Sequence, residues 1–302
     1  MNLPPEDDLV LVAEYFRIHD PAGKRIASAL RETFDALYDG QQSGRFKWEQ
    51  LSKIEKERWW AIAKIYLQRE FQFLDGRLAD FLIEGVEVAC EISHTFGDWT
   101  IPPEARSQVC MLVSAIDNES PNWSLGLVRA IKSRVRIRKN FGADTTLSDK
   151  GLTSIYWLWR YAPLPGNALL QLPSRTVTRI LGMKSVDDRI NELFRSAQGL
   201  IIRRTVVATV AQQDDYMKRV RTNGGARSAL KPEGIIILGQ YESHAQIAVE
   251  LKLRRPGPGD FVSIRVVPAS GDGDGVAKIG QSFWRRASDG DPVVSAPDLP
   301  KI

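Results

Sequence analysis

Cysteine and histidine are scarce in this sequence. Two cysteines, Cys90 and Cys110, and three histidines, His19, His94 and His244, are spread over 302 residues. Two cysteines cannot build a disulfide framework, and each lies in an apolar run, so a reducing compartment is expected. With so few thiolate and imidazole ligands, a structural zinc cluster is not expected. Long hydrophobic runs are missing too: no window approaches the roughly 18 consecutive apolar residues of a membrane span. The opening residues through Asp8 are acidic, without the basic-then-apolar order of a signal peptide. The expectation is a cytoplasmic protein with no membrane partner.

Apolar material is ample, at 43% hydrophobic and 26% charged residues. At about 150 residues per domain the length suggests two domains. Charge is unevenly placed along the chain. Residues 1–128 carry 13 basic against 21 acidic side chains, residues 129–231 carry 20 against 7, and the remainder 8 against 9. A central segment with 13 surplus positive charges points to a polyanionic partner, most simply nucleic acid.

Asp20-Pro21 reads as a helix start, with Asp20 as N-cap, and Ile26, Leu30, Phe34 and Leu37 follow at helical spacing. A second helical stretch covers about 48–70, with Leu51, Ile54, Ile62, Ile65 and Tyr66 on or near one face. Strands are expected at 78–83 and 86–93, joined by the two-residue turn Glu84-Gly85, and again at 109–116 and 125–131. Pro163-Leu164-Pro165-Gly166-Asn167 is the best linker. Helical stretches follow at 176–181, 186–195, 204–213 and 214–221, then strands at 235–238 and 261–267, and a Gly/Asp/Pro-rich tail from Ala269 read as loop. The fold class is therefore mixed α/β (α+β), with domains at 1–160 and 163–302, the second in a winged helix-turn-helix arrangement. Trp59, Trp60, Trp157 and Trp159 sit among apolar neighbours, as core or dimer-interface residues do.

In the hairpin, cross-strand partners sum to 169, which sets Asp80 opposite Ala89. One face then holds Ala79, Phe81, Ile83, Val86, Val88 and Cys90, the other Leu78, Asp80, Leu82, Glu87, Ala89 and Glu91. Three acids on one face suit a hard cation such as Mg²⁺; an ordinary solvated sheet face has the same pattern.

Long runs of residues carry a resemblance. Leu67-Gln68-Arg69-Glu70-Phe71-Gln72-Phe73, the hairpin at 80–93 and Trp99-Thr100-Ile101-Pro102-Pro103-Glu104 resemble the nuclease half of the NaeI family of type II restriction endonucleases. Asn191-Glu192-Leu193-Phe194-Arg195, the stretch at 208–221, Gly224-Gly225-Ala226-Arg227-Ser228 and the stretch at 232–239 are similar to its second half. The resemblance implies a prokaryotic, nucleoid-associated homodimer. It also implies a restriction-endonuclease-like first domain, a second domain like a helix-turn-helix regulator (CAP-like), and a GC-rich palindromic duplex cut with Mg²⁺.

The family's catalytic set is a Glu on the helix before the hairpin, an Asp on the first strand, and Asp-x-Lys on the second. Carried over, these positions are Lys64, Asp80, Ala89 and Glu91. Only Asp80 matches. Alanine cannot ligate a metal, Lys64 puts a cation where a ligand belongs, and Glu91 adds negative charge where a lysine would offset it. An acid has become a base and a base an acid, so a Lys64–Glu91 ion pair is expected to replace the metal. The leading expectation is a pseudo-nuclease: a double-stranded DNA-binding protein needing no cofactor, methylation-sensitive in one version. The alternatives are a working endonuclease with Mg²⁺ on Asp80 and Glu91, helped by Glu87, or a recognition subunit for a separate catalytic partner.

DNA contacts are expected from Lys132, Arg134, Arg136, Arg138 and Lys139, read as a strand with one basic edge that is also a way to protect a sheet edge from aggregation. In the second half Lys184, Arg189, Lys218, Arg219, Arg221, Asn223 and Arg227 are expected around Gly224-Gly225, where glycine permits close backbone approach.

Overall fold

A computed structural model describes residues 7–137 and 145–300. The chain divides into two compact units of mixed α/β structure. The first takes the residues up to Leu37 together with Leu51–Pro165; the second takes Tyr38–Gln50 and the residues from Gly166 on.

In the first unit α1 (Asp7–His19) and α2 (Lys24–Tyr38) precede a short α3 (Gly40–Ser43), which belongs to the second unit, and the long α4 (Lys53–Phe71). Asp20 does cap α2, but from inside a preceding turn: its Oδ2 accepts the Ile26 N–H at 3.0 Å, and the helix begins only at Lys24. The α4 start is set by a capping box, not by the apolar pattern. Ser52 Oγ accepts the Glu55 N–H at 3.3 Å and Glu55 Oε2 accepts the Ser52 N–H at 2.8 Å, so the expected helical residues 48–50 form a separate 3₁₀ turn. Its buried stripe is Trp59, Ala63, Leu67 and Phe71, spaced by four; Ile54 and Ile65, expected on the inner face, are exposed. Trp60, expected in the core or at a dimer interface, is half exposed, so it is not core.

The sheet is ordered β1 (Leu74–Asp75), β2 (Phe81–Ile83), β3 (Val86–Ser93), β4 (Val109–Ile116), β5 (Asn122–Arg129) and β8 (Tyr156–Pro163). Only β3 and β4 run parallel. The hairpin has the expected register, Phe81↔Val88, Leu82↔Glu87 and Ile83↔Val86. Glu84 (φ 49°) and Gly85 (φ 77°) both lie in the left-handed region, as a type I′ turn requires. Residues 78–80 are not strand, however. They bend because the Glu87 carboxylate accepts the N–H groups of Arg77, Leu78 and Ala79, which a ladder would otherwise use.

The small ladder β6 (Val135–Ile137) with β7 (Thr145–Leu147) is followed by α5 (Asp149–Thr153). The basic strand expected from Ile131 fails to form over 131–134, where the Arg134 N–H closes a turn on Ile131 O at 2.8 Å. Arg138 and Lys139 lie outside the described residues.

In the second unit α6 (Ala168–Gln171), α7 (Ser174–Gly182) and α8 (Val186–Ser196) lead through β9 (Ile202–Arg203) to α9 (Arg204–Ala211). The helix expected at 214–221 is a 3₁₀ turn, Tyr216–Val220, after Gln212 has taken left-handed geometry (φ 52°). Then come α10 (Ala226–Ala229), β10 (Ile235–Leu238), α11 (Glu242–Glu250) and β11 (Asp260–Pro268). The tail is not all loop. β12 (Val276–Ile279) and β13 (Ser282–Arg286) form a hairpin that extends the β10–β11 sheet, because Ala277, Ile279 and Trp284 alternate into a buried layer. Residues 38–50 are threaded into this unit. Phe46 joins its core, and its carbonyl accepts a hydrogen bond from the buried Asn167 side chain at 3.2 Å.

Gly126 of β5 is irreplaceable by its neighbours' geometry: a Cβ there would lie 2.4 Å from Ile155 Cγ2 and 2.9 Å from the Trp157 ring. Gly126→Ala is therefore expected to destabilise the first unit by about 1–3 kcal/mol. Gly182→Ala, which meets nothing within 4 Å, is expected to be near neutral. Thermal unfolding of both variants checks this; equal midpoints would contradict it.

Candidate functional site

A cavity of about 680 Å³ opens beside the hairpin. Trp60 and Lys64 of α4 form one wall, Leu78 to Asp80 the bend before β2 another, and Ala89 and Glu91 of β3 its floor, with Arg77, Asp98, Thr100 and Glu104 nearby. All four positions carried over from the family pattern, Lys64, Asp80, Ala89 and Glu91, thus face one cavity. Helix spacing puts Trp60 and Lys64 on one face, and strand alternation does the same for Ala89 and Glu91.

The ion pair that forms is Lys64–Asp80, Nζ to Oδ1 at 2.7 Å, not the expected direct replacement centred on Glu91. The α4 face brings the ammonium over the 78–80 bend, so the nearer carboxylate takes it. Glu91 contributes through its field on Lys64. The second Asp80 oxygen accepts the Cys90 N–H at 2.7 Å. Burial alone would lower the Lys64 pKa, but Cys90, Asp80 and Glu91 together raise it above the ordinary lysine value. A raised lysine pKa means the pair's contribution is present throughout neutral pH. On the alkaline side it is lost as pH climbs past that raised pKa. Lys64 also lies 5.3 Å from the Trp60 ring centroid.

Glu87, expected to help hold a cation, is turned away into the bend. Burial works to raise its pKa, and the three backbone hydrogen bonds outweigh that and lower it. Cys90 and Cys110 are buried with their thiols pushed up by desolvation, so neither is a nucleophile.

Magnesium does not fit these side chains. Ala89 offers no oxygen, both Asp80 oxygens already have partners, and the Lys64 ammonium stands where a cation would. Among the described residues no group of three or more potential ligands gathers anywhere.

Of the basic residues, Lys132 and Arg136 are exposed and Arg134 is half-buried. Lys184, Lys218, Arg221 and Asn223 are exposed on the second unit, the last beside Gly224 (φ 79°). Arg189, Arg219 and Arg227 are engaged inside that unit. Arg189 donates to the Val210, Ala211 and Met183 carbonyls at 2.8, 2.9 and 3.1 Å, closing the C-terminus of α9. Arg219 pairs with Asp187 at 3.2 Å, and Arg227 donates to Ile237 O at 2.9 Å in surroundings that lower its pKa by desolvation. Asp98, Thr100 and Arg77 line the cavity without having been singled out by spacing, since only the folded loop brings them there.

Lys64→Met leaves Asp80 half-buried without its cation and is expected to cost about 1–2 kcal/mol. Lys64→Glu sets two carboxylates together. That variant is expected to melt lower than the parent and to regain its midpoint in millimolar Mg²⁺, whereas the parent is indifferent to the ion. A parent stabilised by Mg²⁺ would contradict the poor fit of the site.

Similarity to known proteins covers both units. The type II restriction enzyme NaeI of Lentzea aerocolonigenes is 42% identical over 305 residues, which is 98% of this chain and 96% of that enzyme. The family described as restriction endonuclease NaeI matches residues 10–295, hairpin, cavity and second unit included. On that extent of agreement, and with the cavity sitting where the family pattern falls, this chain belongs to the NaeI restriction endonuclease family.

Proposed function

We propose that this protein is a sequence-specific double-stranded DNA-binding member of its family that holds the duplex without metal-dependent cleavage. The observation that carries the reading is the state of Asp80. It is the one acid retained from the catalytic pattern, and its two oxygens are bound by the Lys64 ammonium and the Cys90 N–H, each at 2.7 Å. A carboxylate so engaged already has its charge offset by a fixed cation, and the cavity offers no neighbouring ligand at Ala89. The nuclease-type unit then acts as a binding module for a GC-rich palindrome, whose methylation state it senses in the regulatory version of this reading.

In the second unit, the succession of α7, the turn at 183–185 and α8, with a β-sheet later in the chain, supports the reading of a winged helix-turn-helix. Exposed Lys184, Lys218 and Arg221 supply phosphate contacts, and Asn223 beside Gly224 a group able to reach a base edge. The palindrome is matched by a homodimer, since two-fold DNA calls for a two-fold protein.

Purified protein, plasmid DNA and Mg²⁺ or Mn²⁺ test the proposal. Retarded but intact duplex is expected; discrete fragments that disappear in Asp80→Ala would establish an active enzyme instead. The combined variant Lys64→Glu, Ala89→Asp, Glu91→Lys is expected to recover cutting. Binding is expected to weaken linearly in log–log form with salt. A flat salt dependence would remove DNA as the principal partner.

A further inference from the structure

The sheet that floors the cavity continues to a partly exposed aromatic cluster at its far edge. Glu91 of β3, Leu112 of β4, Gly126 of β5 and Trp157 of β8 are successive cross-strand partners. Trp157 therefore stands on the same side of the sheet as the cavity floor, three strand spacings or about 14 Å away. That is about four base-pair steps of 3.4 Å along a duplex.

At this place the edge strand departs from regular geometry. The β5–β8 register shifts twice, between Trp123 and Leu125 and between Leu125 and Gly126. Tyr161 takes a left-handed φ of 52°, rare for a residue that is not glycine, and its N–H is held by the fully buried Ser124 Oγ at 2.9 Å. Such strain costs about 1–2 kcal/mol and persists only where surroundings enforce it. In a regular strand residues 160 and 161 point to opposite faces. Here the bulge gathers both over one aromatic bed. The Arg160 guanidinium carbon lies 5.4 Å from the Trp157 centroid, 5.5 Å from Tyr161 and 5.6 Å from Phe96. Phe96 in turn stacks on Trp157 at 5.4 Å and lies 4.7 Å from Tyr161.

Arg160 and Tyr161 are exposed, and among the described residues Arg160 pairs with no carboxylate. Three ring faces fix its position, and among the described residues its five N–H donors have no hydrogen-bond acceptor, an arrangement that spares the ordering cost on binding. Planar bidentate donation from arginine matches the O6 and N7 acceptors that guanine shows in the major groove. We infer that Arg160 is a specificity-determining residue that reads one guanine in the major groove, oriented by Phe96, Trp157 and Tyr161. The inference rests on the DNA-binding function proposed above and names the chemistry that one part of that surface recognises.

Selection from a random duplex library with the full chain in metal-free buffer defines the preferred site. Binding is then measured with each guanine replaced in turn by 7-deazaguanine, which lacks N7. For the parent, one guanine per half-site is expected to show a loss of about five- to hundredfold. At that guanine Arg160→Ala is expected to be indifferent to the replacement, while its retained sensitivity at the others shows that the fold is intact. Full sensitivity at every guanine in Arg160→Ala overturns the inference. So does uniform weakening with the salt slope reduced by about one, the signature of a phosphate contact. A library that yields no preferred duplex overturns the DNA-binding reading itself and the inference with it.

Discussion

The contact between Lys64 and Asp80 governs what the cavity is able to do. It is an ion pair whose cation is covalently fixed to a helix and cannot exchange with solvent. Neutralising Asp80 this way does not neutralise the cavity. Its walls carry Lys64 and Arg77 against Asp80, Glu91, Asp98 and Glu104, a formal charge of −2. A phosphate drawn into such a place meets like charge unless a divalent ion lies between, and the side chains present do not hold one. Any binding energy for a polyanion has to come from other parts of the surface.

The strongly basic central segment leaves fewer charges facing water than its count of charges suggests. Arg195 bridges Glu233 at 2.7 Å as well as Glu192, Arg219 bridges Asp187, and Arg189 spends its donors on three backbone carbonyls. These guanidinium groups hold α8, α9 and the turn around Glu233 together. The cations left facing water form a smaller set, including Lys132, Arg136, Arg160, Lys184, Lys218 and Arg221. A basic run along a chain therefore mixes scaffold with binding surface, and only packing separates them.

How far the fold was legible follows the range of the interactions concerned. The hairpin register at 84–85 was readable because a two-residue turn and side-chain alternation are local. So was β4, whose continuous apolar run marks a strand covered on both faces. Strand β8 was not, since Trp157 and Trp159 in an irregular edge strand lack a clean period of two. The C-terminal hairpin was hidden by its glycines and aspartates, which punctuate its turns and mask the alternation of Ala277, Ile279 and Trp284. Residues 38–50 could not be assigned to the second unit by any local rule, because Phe46 and Asn167 meet across 121 positions. In the cavity, the identities of Lys64, Asp80, Ala89 and Glu91 were visible, but the choice of Asp80 as the partner of Lys64 depended on the bend that Glu87 imposes.

That bend also gives Asp80 structural work of its own. One oxygen ties the residue to α4 through Lys64, the other to β3 through the Cys90 N–H, so its side chain joins three segments of the first unit. Removing it would strand a half-buried ammonium and an inward-facing amide, each costly to leave unpaired. Ala89, by contrast, packs against Trp99, Ile101 and Cys110 in an apolar cluster that gains nothing from a carboxylate unless an ion accompanies it. Asp80 therefore does structural work in the first unit, and its presence alone says little about chemistry.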